Sequence, residues 1–85
     1  MELKTICKAI GNPQRVQLVA CLSSEATVSE LLEKCDLSQS ALSQHLSVLR
    51  DAGIVETRTS GRHVYYQAAS RAYVDLARGV IRLTT

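Results

Sequence analysis

The chain has 85 residues, no Trp or Phe, three Cys and a formal net charge of +2 at pH 7. That length suits one small domain, whose core must come from Leu, Val, Ile and Ala, and it leaves apolar surface for a second copy to cover. The Cys show neither CxxC nor CxH spacing, so no disulfide framework or zinc knuckle is legible, and nothing reads as a signal peptide or a membrane-spanning run. A cytoplasmic protein with reduced thiols, no membrane partner, no cofactor and no metal is expected. In chain order, Leu3, Ile6, Cys7 and Ile10 recur at helical spacing, giving a first helix over 2–10 that Gly11 stops. Asn12-Pro13 restarts the chain, Asn as N-cap and Pro at the first helical position, and the second helix runs to about Ser23. Thr27-Val-Ser-Glu30 has capping-box spacing and opens a third helix that ends near Cys35. After the short connector Asp36-Leu37, Ser38 caps a fourth helix that Gly53 terminates as a left-handed residue. The stretches 54–59 and 62–68 are β-branched and aromatic, and Ser60-Gly61 fits a tight hairpin turn. A last helix covers about 70–83, with Tyr73, Leu76, Ala77, Val80 and Leu83 as an apolar stripe and Gly79 weakening its middle.

The fourth helix carries the functional signal. Leu42, Leu46 and Leu49 turn inward, which places Ser40, Ser43, Gln44 and Ser47 on the opposite side. A solvated helix face usually carries Glu and Lys. A face of Ser and Gln suits a partner that offers hydrogen-bond donors and acceptors, such as base edges in the major groove of DNA. Helix, short turn, helix is the helix-turn-helix pattern. The charge distribution agrees: 50–82 holds six Arg against Asp51, Glu56 and Asp75, whereas 25–36 holds four acids against Lys34. Ser38, Gln39, Ser40, Ser43, Gln44, Ser47 and Arg50 are therefore candidate DNA-binding residues on the helix. Arg58, Arg62 and His63 are candidates around the hairpin turn, where they would meet phosphate or the minor groove. Arg50 also suits the negative end of the helix it closes. His45 flanks the apolar stripe and reads as a packing or hydrogen-bonding residue rather than a base reader. The expected fold is mainly α with a two-stranded β wing, α-α-α-α-β-β-α, over a single domain spanning 1–85.

These residues resemble the ArsR/SmtB family of bacterial winged-helix repressors. The resemblance is carried by Ala9-Ile-Gly-Asn-Pro-Gln-Arg15, Val28-Ser-Glu-Leu31, Leu37-Ser-Gln-Ser-Ala-Leu-Ser-Gln-His-Leu46, Leu49-Arg-Asp-Ala-Gly-Ile-Val55 and Gly61-Arg-His-Val-Tyr-Tyr66. It implies a homodimer on a palindromic double-stranded DNA operator, with the first and last helices as the seam. Leu3, Ile6, Cys7, Ile10, Tyr73, Leu76, Ala77, Val80 and Leu83 are then the interface residues. It also implies an inducer that weakens DNA binding, and the sequence names none. The recognition string is most similar to the thiol-based sulfur- and redox-responsive subgroup.

The family's sensing chemistry does not carry over. Where arsenic, cadmium and lead sensors hold a Cys-Val-Cys pattern, this chain has Thr27-Val-Ser29, and oxygen ligands do not replace thiolates for a soft metal. The last helix has Asp75 but neither His nor Glu, so it lacks the zinc-sensor ligands. The subgroup's two thiols would fall on Ala20, one residue before Cys21, and on Thr84-Thr85. Cys21 and Cys7 remain candidate redox thiols, against the plainer reading of each Cys as a small buried hydrophobe. No Ser-His-Asp arrangement, phosphate-binding Gly loop or metal cluster suggests an enzyme. The alternative to a DNA-binding regulator is a winged-helix protein-interaction module, although such modules usually lose the polar helix face and basic wing tip present here.

Overall fold

The computed structural model describes residues 2–84. Their elements are α1 (Leu3–Ile10), α2 (Pro13–Cys21), α3 (Val28–Lys34), α4 (Gln39–Asp51), β1 (Val55–Ser60), β2 (His63–Ala68) and α5 (Arg71–Arg82). This is the expected winged helix-turn-helix order, with ends moved by one or two residues.

Local chemistry sets most boundaries. The Asn12 carboxamide oxygen accepts from the backbone N–H of Gln14 and Arg15, and Pro13 supplies the first residue of α2. At α3 both halves of the capping box form: Glu30 N–H donates to Thr27 Oγ1 at 3.2 Å, and Thr27 N–H donates to Glu30 Oε1 at 2.9 Å. The Thr27 amide, then its hydroxyl, holds the Glu30 carboxyl below the ordinary carboxylate range. Ser38 Oγ accepts from Ala41 N–H at 3.1 Å and starts α4. The end of α4 is a Schellman motif: Gly53 is left-handed at φ 74°, its N–H donates to Arg50 O, and Ile54 N–H donates to Leu49 O.

β1 and β2 pair antiparallel from Val55↔Ala68 to Ser60↔His63. The loop is therefore Gly61-Arg62, one residue later than the Ser60-Gly61 turn expected from sequence. Gly61 has φ 61° and no non-Gly residue described has positive φ, so only the first loop position is left-handed, as a type II′ hairpin requires. A further backbone pairing joins Ala26 to Tyr66, with bonds of 2.8 and 2.9 Å, and ties the segment before α3 to the wing.

The core gathers Leu18, Leu22, Leu31, Leu42, Leu46, Leu49 and Ile54, all nearly or fully buried. α2 runs against α5 and also meets α1 and α4. α5 corrects the sequence reading. Val74 and Ala77 are buried toward α2, and Ile81 packs beside them, whereas Leu76, Val80 and Leu83 face outward. Ala77, expected in the dimer seam, is 0% exposed and belongs to the protomer's own core. The helix has two neighbouring apolar stripes, and its expected single stripe mixed them.

Candidate nucleic-acid interface

α4 presents the face the sequence anticipated. Leu42, Leu46 and Leu49 anchor it, while Gln39, Ser40, Ser43, Gln44, Ser47 and Arg50 are exposed. The side chain of Gln44 has no hydrogen-bond partner among the described residues, so its amide is available to a ligand. Ser38 differs: its hydroxyl already accepts the Ala41 amide as N-cap, so its contribution there is to orient the helix start. Ser43, Ser47 and Arg50 line one cleft of about 300 Å3 together with Leu46, Asp51 and Tyr66 of β2. The wing thus stands beside the polar face of α4.

Behind this face lies an arrangement the sequence did not disclose. Arg15 donates from Nε to the Ala9 carbonyl and from Nη2 to the Lys8 carbonyl, two acceptors left open at the end of α1. Its Nη1 lies 3.5 Å from His45 Nδ1. Arginine can only donate, so Nδ1 accepts and Nε2 carries the ring proton. Nε2 then donates to Gln14 Oε1 at 2.8 Å. His45 is half-buried. Both of its ring nitrogens thus bond within the protomer.

The wing tip separates two residues that the sequence grouped. Arg62 lies in the turn itself, exposed and without a partner among the described residues, and His63 follows it, also exposed. Arg58 stands further down β1 and is engaged. Its Nη2 and Nε donate to Glu25 Oε1 and Oε2 at 2.7 and 3.1 Å, and its guanidinium carbon lies 4.7 Å from the centre of the Tyr65 ring, which faces it across the hairpin. The hydrogen bond from Arg58 holds the Glu25 carboxyl below its ordinary range, and Glu25 pushes Arg58 up in turn. Arg58 is therefore part of the strap holding the wing, not a free tip cation.

Of the remaining expected sites, Leu3, Leu76, Val80 and Leu83 are exposed apolar side chains, Cys7 is exposed, and Ile6, Ile10 and Tyr73 are half-buried against the core. Cys21 and Cys35 are half-buried and border one hollow. Burial, and then the adjacent Cys21 thiol, push the Cys35 thiol up from its ordinary value, while Lys34 pulls it down. Among the described residues no three His, Cys, Asp or Glu side chains group to hold a metal ion, and no helix is long and apolar enough to cross a membrane.

This geometry matches known proteins. Residues 12–57 fit the family described as bacterial regulatory protein, arsR family. A biofilm growth-associated repressor of Agrobacterium fabrum is 41% identical over 69 residues, 80% of this chain and 59% of the repressor. The transcriptional activator HlyU of Vibrio cholerae is 44% identical over 75 residues, 84% of this chain and 69% of HlyU. The chain thus spans about three fifths of the first of these relatives. Among solved structures, the transcriptional repressor BigR of Xylella fastidiosa superposes with a TM-score of 0.85 at 31% identity, covering 98% of this chain and 86% of BigR. The homodimeric winged helix-turn-helix DNA-binding domain of Mb0332 from Mycobacterium bovis gives 0.82 at 25% identity, covering 96% and 77%. With its helix-turn-helix, its wing and more than half its length matching, the chain belongs to the ArsR family of bacterial regulatory proteins.

Proposed function

We propose that the protein is a sequence-specific transcriptional regulator that binds double-stranded operator DNA as a homodimer and represses the genes beside its operator. The observation that carries this is the exposed, uncharged polar face of α4, with Gln44 at its centre unpartnered among the described residues and a basic wing tip alongside. α4 enters the major groove, where Ser40, Ser43, Gln44 and Ser47 meet base edges. Arg50 at the helix end, with Arg62 and His63 at the wing tip, holds the flanking phosphates. The protein works in the cytoplasm, where the DNA is.

Dimerisation rests on the outer stripe of α5. Leu76 is 46% exposed, Val80 38% and Leu83 85%, with Leu3 of α1 also uncovered. Apolar residues grouped this way on an 85-residue chain mark an interaction surface. The homodimeric state of Mb0332 supports a second copy as the occupant. Two copies related by a two-fold axis read a palindrome whose half-sites lie about one helical turn apart, roughly 34–36 Å, or a multiple of it. Repression follows the naming of the Agrobacterium and Xylella relatives.

Selection of duplexes from a random library, followed by titration of the selected operator and a random duplex at several salt concentrations, tests the reading. A palindromic consensus and steeply salt-dependent affinity are expected. Equal affinity for selected and random duplexes would overturn it.

A further inference from the structure

One side chain on the outer side of α4 is neither polar nor covered. Val48 is 39% exposed, whereas the other large apolar side chains of the helix, Leu42, Leu46 and Leu49, are buried. It follows Gln44 by four residues, which places it one turn further along, about 6 Å up the axis and about 40° around it. Val48, Gln44 and Ser47 line one open hollow of about 370 Å3 with His45 and Arg15. On its other flank Val48 borders α1 through Thr5, Lys8 and Ala9. By helical spacing, Thr5 and Lys8 lie on the side of α1 opposite to Leu3, Ile6, Cys7 and Ile10. Val48 therefore stands beside the face that carries Gln44 and apart from the apolar stripe of α1.

We propose that Val48 is a specificity-determining residue, which packs on the 5-methyl group of a thymine in the operator. This rests on the regulator reading above. In the major groove, base edges present hydrogen-bond donors, hydrogen-bond acceptors and one apolar group, the thymine methyl. An exposed isopropyl group gains nothing from a donor or an acceptor, but it sheds water against a methyl. Base pairs stack about 3.4 Å apart, so the roughly 6 Å between Gln44 and Val48 spans about two steps. The contacted thymine therefore lies within about two base pairs of the adenine that Gln44 takes. A cytosine in its place offers an amine and no methyl, and is disfavoured. Burying one methyl-sized group is worth a factor of about four in affinity for each half-site.

Deoxyuridine tests the contact at the level of one group, because it lacks only the 5-methyl of thymidine and pairs with adenine in the same way. Each thymine of the selected operator is replaced in turn, in both half-sites together, and wild-type protein and Val48→Ala are titrated with every duplex. One thymine should stand out, within about two base pairs of the adenine whose replacement Gln44→Ala no longer senses. Its deoxyuridine form should weaken wild-type binding by about 15-fold over the two half-sites and should cost Val48→Ala little. On the thymine operator Val48→Ala should itself lose a similar factor, and on random duplex far less. The wild-type scan stands whether or not the variant folds, and a thermal melt checks the variant.

A scan in which no thymine methyl matters to the wild type would overturn the contact. So would equal losses for wild type and Val48→Ala at every deoxyuridine. Val48→Ala that weakens operator and random duplex by the same factor, or that sediments as a monomer where the wild type is a dimer, would also overturn it, by assigning Val48 to the phosphate backbone or to a contact between copies. Wild-type protein that prefers no duplex would overturn the regulator reading and the contact with it; the wild-type titration alone tells that outcome from the others.

Discussion

Truncating Gln44 to alanine separates the reading of sequence from the holding of DNA. Gln44 is exposed on α4 and its side chain bonds nothing among the described residues, so the fold should change by no more than about 0.5 kcal/mol. On the operator the substitution removes an amide able to pair bidentately with adenine, a loss of about 1–3 kcal/mol for each half-site. At about 1.4 kcal/mol per factor of ten, this is roughly 5- to 150-fold in affinity for each half-site, compounded when a dimer occupies both. The effect on random duplex should be far smaller, because an amide without its base partner contributes little to phosphate binding. Ser43→Ala, beside it, should follow the same pattern more weakly. Arg62→Ala should behave oppositely. The wing-tip guanidinium has no partner among the described residues, so its loss should weaken operator and random duplex by similar factors and lower the salt slope by about one unit per protomer. Fluorescence anisotropy with both duplexes at four or five salt concentrations gives every term. If Gln44→Ala and Arg62→Ala reduce both duplexes by the same factor, α4 does not read bases as assigned.

Val80→Glu places a charge on the outer stripe of α5 and should yield a folded monomer with weak operator binding, seen by sedimentation; a dimer surviving at micromolar concentration would refute the seam. Ala77→Glu, three residues earlier on the core stripe, should instead unfold the protomer, because a wholly buried unpaired charge costs several kcal/mol. Leu18→Ala, in the fully buried centre of α2, should lower stability by about 2–5 kcal/mol in a denaturant titration. The Glu25–Arg58 strap should loosen in acid. Glu25 is depressed in the fold, so its contribution is complete above the ordinary carboxylate range and disappears as pH falls through the depressed value. Shifts of the Tyr65 ring signals below that range, absent in Glu25→Gln, would show it; unchanged signals would count against the strap.

The sequence disclosed what short-range rules govern. Asn12-Pro13, the Thr27–Glu30 box, Ser38 and Gly53 each act within a few residues, and each forms as expected. Leu42, Leu46 and Leu49 left little doubt about which face of α4 turns outward. On α5 the same reasoning failed at Ala77, because period alone does not say which of two adjacent stripes meets α2. The hairpin turn was misplaced by one residue because Ser60-Gly61 and Gly61-Arg62 both carry the glycine that a tight turn needs. Long-range partners were hidden altogether. Glu25 meets Arg58 across 33 positions and Arg15 meets His45 across 30, and neither pair has a local signature. The hollow that Cys21 and Cys35 share has no local signature either.

One guanidinium joins the end of α1 to the side of α4. Arg15 grips the carbonyl end of α1 with two of its nitrogens and the flank of α4, at His45, with a third. In a dimer joined through α1 and α5, the same side chain thus spans the joint between the part that meets the twin copy and the part that lies on DNA. The two reading heads are then carried as a caliper of set opening rather than as tethered arms. An operator whose halves are separated by one base pair too many would be refused by the frame itself, before any base is inspected.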